Sequence, residues 1–172
     1  MTINEAKKIG SKQGLISVGI GLLIAQLIMT LMFSTGQGFI KAFFWFTDIS
    51  YWLNFLIGIF IMLACGHFYG QLAGKLILIK KWNYVLTGSL IGLAVILTTI
   101  FFASWTGFIQ EGINNIGTID DPFFDYIFKP MYWVTMFGFI PALIVGIWFG
   151  KKIKKKGKEK HGRQQLSPND KR

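Results

Sequence analysis

Gly138-Phe139-Ile140-Pro141-Ala142-Leu143-Ile144-Val145-Gly146-Ile147-Trp148-Phe149-Gly150 runs without a break into Lys151-Lys152-Ile153-Lys154-Lys155-Lys156. The first part carries no charge and places a small residue at every fourth position: Gly138, Ala142, Gly146 and Gly150. Steps of four stay on one helix face, so that face is a groove almost without side chain. In lipid no hydrophobic drive pulls helices together, and a groove of this kind gains packing by letting another backbone come close. The lysine block is too costly to bury in hydrocarbon, so the junction marks a membrane boundary.

Outward from that junction, three more stretches repeat the pattern. Only 15% of the 172 residues are charged and mean hydropathy is +0.49, against about 25% charged in a soluble domain. Residues 14–34, 51–70, 83–105 and 131–150 hold no charge at all. At ~1.5 Å per residue each reaches ~30 Å, the thickness of the hydrocarbon layer. The expected fold is an all-α integral membrane protein with four transmembrane helices running up-down-up-down. Residues 1–13 form a short cytoplasmic N-terminal segment before it, and residues 151–172 a basic, disordered cytoplasmic tail after it.

Charge placement sets the orientation. With both termini cytoplasmic, Lys7, Lys8, Lys12, Lys75, Lys80, Lys81 and the ten basic residues of the tail lie inside, leaving only Lys41 and Lys129 outside. All three inside segments agree with the positive-inside bias, so a multi-pass cell-membrane protein with cytoplasmic termini is expected. The net charge of +10 is concentrated in the tail, which alone holds ten basic and two acidic residues. Such a tail contacts anionic lipid through Lys151, Lys152, Lys154, Lys155 and Lys156, and nucleic acid is not an expected partner.

The second span ends in Gly66, Gly70 and Gly74, another groove of four-residue spacing. A shift of 80 residues sets Gly58, Gly66 and Gly70 on Gly138, Gly146 and Gly150, and Phe43-Phe44 on Phe123-Phe124, with seven identities in 33 positions. This spacing predicts two duplicated helix hairpins related by an axis along the membrane normal. Small residues on all four spans exceed the needs of one bundle, so a homo-oligomer or other membrane subunits are expected as partners.

The spans contain no Asp, Glu, Lys or Arg, whereas proton- and ion-coupled transport needs an ionisable group near the bilayer centre. His67 lies near the cytoplasmic end, on the glycine face. Gln26 and Thr30 share a face of the first span, and with His67 they would line a polar path for which Pro141 is the hinge. Cys65 and His67, two apart on a helix, do not face each other. Neither a nucleophile with a base nor a metal-ligand spacing occurs, so no enzyme, cofactor or metal is expected. The residues point to a membrane protein that acts by helix–helix association as an accessory or assembly subunit. The alternative is a small oligomeric channel or facilitator for a neutral solute.

Overall fold

The computed structural model describes residues 1–48, 52–118 and 120–166. They form helices and turns, with no strand among the described residues. In chain order the helices are α1 (Ile3–Gln37), α2 (Phe39–Phe43), α3 (Trp52–Gly74), α4 (Tyr84–Gly107) and α5 (Lys129–Leu166). All but the short α2 are long and apolar enough to cross a membrane. The expected start of the second span, Tyr51, lies outside the described residues.

Local chemistry sets the helix ends. The Thr2 hydroxyl accepts from the Glu5 amide at 3.3 Å, and Glu5 Oε2 accepts from the Thr2 amide at 2.9 Å. This reciprocal cap satisfies donors that a helix start would otherwise leave open. It begins α1 at Ile3, so most of the expected N-terminal segment belongs to the first helix. Gly38, at φ 79°, ends α1 in a conformation that suits glycine. Asn83 Oδ1 accepts from the Val85 and Leu86 amides and starts α4. A wide π-type turn, Lys75–Ile79, closes α3.

The tail departs from expectation. Residues 151–166 are not irregular but continue α5, which at ~1.5 Å per residue is ~57 Å long and overreaches any hydrocarbon layer. Lys, Glu and Gln are good helix formers, and the segment has an inner face. Ile153, in the middle of the lysine block, is 0% exposed. It joins Ala6, Ala73, Ile77, Leu78, Ile91 and Phe149 in one apolar cluster. Gly157 lies against the Leu78 side chain, and Lys160 Nζ meets Glu5 Oε1 at 2.8 Å. The buried core therefore sits at the lysine-rich end of the bundle, knitting both termini to the turn between α3 and α4. Residues 167–172 of the expected tail lie outside the described residues.

Two antiparallel pairs make the bundle, α1 with α3 and α4 with α5; α3 packs on α4, and α1 on α5. In the first pair Gly10 and Gly14 meet the carbonyls of Gly70 and Gly66, and Gly74 meets that of Ala6. In the second, Gly88 and Gly92 meet the carbonyls of Gly146 and Ala142, and Gly150 meets that of Tyr84. A Cβ on Gly70 would stand 2.7 Å from the Gly10 oxygen, and one on Gly146 would stand 2.6 Å from the Gly88 oxygen. Backbone fills most of each groove, with the Val18 side chain against Gly66 and the Ile96 side chain against Gly138. These grooves are occupied within one chain.

The two helix pairs cross alike. Gly146 meets Gly88 as Gly70 meets Gly10, each also touching the Cα of the serine that follows, Ser89 or Ser11. The crossings correspond when the first arm moves by 78 residues and the second by 76. Gly10-Ser11 and Gly14-Leu15 then fall on Gly88-Ser89 and Gly92-Leu93. Gly70, Gly74-Lys75 and Ile77 fall on Gly146, Gly150-Lys151 and Ile153.

Gly146→Leu is expected to destabilise the protein in detergent by at least ~1–3 kcal/mol, the usual cost of overpacking. Gly21→Leu, where nothing stands within 4 Å of the added Cβ, is expected to stay within ~0.5 kcal/mol of the parent. Thermal unfolding of both variants checks the difference.

Candidate functional site

The polar side chains of the spans are held in separate places. At the lysine-rich end, His67 on α3 bonds across the helix pair, its Nδ1 2.8 Å from Ser11 Oγ on α1. Its other ring nitrogen, Nε2, lies 2.7 Å from Gln71 Nε2, one turn along α3. With the Gln71 amide donating to Nε2, the ring proton sits on Nδ1 and is given to Ser11. Ser11 reaches this position because Gly10 brings α1 onto the backbone of α3. His67 thus has both ring nitrogens engaged by side chains.

Gln26 and Thr30 work at the opposite end. Gln26 Nε2 donates to the Phe43 carbonyl at 2.7 Å, and Trp45 Nε1 donates to Gln26 Oε1 at 3.1 Å. One glutamine amide thereby pins the connection that follows α1. Phe33 stacks on Trp45 at 6.1 Å, and Trp45 meets Phe55 edge-on at 5.8 Å, tying this connection to α1 and α3. Ala42 is buried while Phe39 and Ile40 face outward, an arrangement suited to lying at a membrane interface. Thr30 is 0% exposed and donates to the Gln26 carbonyl at 2.8 Å, a bond within its own helix.

Ser11 and Gln26 are separated by ~22 Å along α1, from ~1.5 Å per residue. Between them the described residues supply no hydrogen-bonded chain from His67 to Gln26. Ser17 donates to the Gln13 carbonyl of its own helix. Tyr69 and Thr98 bond hydroxyl to hydroxyl at 3.1 Å between α3 and α4. Asn54 Oδ1 is buried with no partner among the described residues. Pro141 lies inside α5, and Gly138 there accommodates Ile96 of α4.

The connection between α4 and α5 folds on itself. The Trp105, Phe108 and Phe123 rings pack edge-on at 5.6–5.9 Å. Tyr126 donates to Glu111 Oε2 at 3.3 Å and accepts from Asn115 Nδ2 at 3.1 Å. Asp121 Oδ1 accepts from the Phe124 amide, and Asp125 pairs with Lys129.

Among the lysines of the block, Lys151, Lys154, Lys155 and Lys156 are exposed, and Lys152 is half-buried. Lys152 Nζ lies 5.1 Å from the Trp148 ring and Lys154 Nζ 4.2 Å from the Tyr84 ring, both in cation–π range. Lys156 pairs with Glu159 at 2.8 Å.

Ser11 and Gln71 escaped the sequence reading. Gln71 stands four residues after His67, a spacing that puts side chains together on a helix. Ser11 had a signal too, since Gly-Ser recurs at Gly88-Ser89 in the matching turn of α4. No known protein family, curated protein or solved structure matches the chain.

Gln26→Ala is expected to release residues 39–46 from α1 and raise their amide exchange at least several-fold, the loss of two bonds costing ~1–2 kcal/mol. Exchange around Gly70 and Gly74 stays unchanged. Hydrogen–deuterium exchange with peptide resolution checks both.

Proposed function

We propose that the chain is a non-enzymatic accessory or assembly subunit of a membrane complex, set in the membrane with both termini cytoplasmic. The observation that carries this reading is the lysine-rich end. There α1, α3, α4 and α5 are drawn together by backbone crossings, and α5 continues outward as a helical arm. Chemistry inside the spans points the same way, since Gln26, Thr30 and His67 each answer a local need. A path for a neutral solute would want such groups in line, and Gln26, Thr30 and His67 are not.

With the glycine grooves closed inside the chain, association with other subunits falls to outward faces. One of them is the side of α1 that carries Gly19, Leu23, Leu27 and Leu31 at four-residue steps, all but the half-buried Gly19 well exposed. Small and branched apolar residues on one stripe suit helix packing in lipid. The matching glycine patterns of the two hairpins support descent from one duplicated hairpin.

The test is native mass spectrometry of the protein released gently from its own membrane. The expected result is a stable complex with a foreign membrane chain, lost in a Leu23→Ala/Leu27→Ala variant that still folds. A pure homo-oligomer would overturn the accessory-subunit reading and return attention to solute flux, with Gln26→Ala and His67→Ala as the first variants.

A further inference from the structure

A cleft of about 740 Å³ opens at the lysine-rich end, between the turn that joins α3 to α4 and the outward arm of α5. Lys154, Lys158 and His161 line it from α5. Their spacing of four and three puts them on one stripe of that helix. Lys81 lines it from the facing turn. Ile77 and Leu78, both buried, lie beneath, with Trp82 and Tyr84 to the side.

Two features separate this cleft from a general basic surface. No acid is among its lining residues within the described part of the chain. Among the described residues of this end, Glu5 pairs with Lys160 and Glu159 with Lys156. The turn is also specially shaped. Lys81 takes a left-handed conformation, φ 59°, where a helix end ordinarily has glycine. The Trp82 amide returns to the Leu76 carbonyl at 3.1 Å across it. A lysine held in that conformation costs energy that a glycine would not, and such residues gather where a ligand is gripped. Trp82 is 55% exposed beside it, the placement of an interfacial tryptophan.

We propose that this cleft binds a phosphate-bearing anion, and that the anion is the headgroup of an anionic membrane lipid. The lysines provide point charges for phosphate oxygens. The apolar floor and the indole match the start of an acyl chain, which free phosphate would leave uncovered. Of the five lysines of the 151–156 block only Lys154 lines the cleft, so the site differs from the diffuse contact of the tail. The inference rests on the reading that this end faces the anionic leaflet. Its test is made in neutral detergent, where orientation has no influence.

The full chain is titrated with a short-chain phosphatidylglycerol and, separately, with inorganic phosphate, following lipid adducts by native mass spectrometry and phosphate by calorimetry. Lys81→Asn/Lys158→Gln removes two cleft charges, and asparagine tolerates the left-handed turn. Lys155→Gln/Lys156→Gln removes two charges outside the cleft. The expected result is one saturable lipid per chain, weakened about tenfold or more by the cleft pair and less than about twofold by the other. Phosphate binding with the same variant dependence but no lipid adduct would overturn the lipid source and keep the anion site. Equal weakening by the two pairs, or no saturable binding, would overturn the proposal.

Discussion

Backbone touching backbone is the constraint on which this bundle depends. Apolar helices gain nothing from leaving lipid for one another, so close packing has to supply the attraction. At Gly10 and Gly70, and again at Gly88 and Gly146, a Cβ would stand within about 3 Å of a facing carbonyl. Other features follow from that approach. It places Ser11 beside His67, and it gathers Ala6, Ala73, Ile77 and Ile153 into the core at the lysine-rich end.

That end combines two demands that normally conflict. Lysines seek water, and a helix end in lipid seeks cover. α5 meets both by alternating Lys151, Lys152, Lys154, Lys155 and Lys156 with the buried Phe149 and Ile153 and with Gly157, whose missing side chain makes room for Leu78. The charge lies on a built surface, with the arm pinned to the start of α1 by Lys160 and Glu5. The opposite end is arranged by aromatic rings and by the amide of Gln26, a softer means of closing a connection.

The spans were legible because charge is excluded from hydrocarbon: 14–34 and 131–150 lie within α1 and α5, 84–105 of the third within α4, and 52–70 of the second within α3. Glycine faces were legible from spacing alone, but not what fills them. A groove at Gly66, Gly70 and Gly74 reads the same whether it meets this chain or another, and contacts are needed to tell. The helical arm was missed because polar composition suggested disorder, while Ile153 and Gly157, the residues that make its inner face, were too few to stand out. Gln26, Thr30 and His67 were visible as polar residues in apolar spans. Their partners Phe43, Trp45, Ser11 and Gln71 are set by the fold.

The central claim is that the glycine grooves close within one chain. The most direct measurement introduces Ser11→Cys and His67→Cys in a Cys65→Ser background and treats the protein in its membrane with a short bifunctional thiol reagent. The account predicts an intrachain link joining α1 to α3, with the chain still migrating as a monomer under denaturing conditions. Efficient formation of linked dimers in place of that product would show that the groove at Gly66, Gly70 and Gly74 is filled by a second chain, and would contradict it.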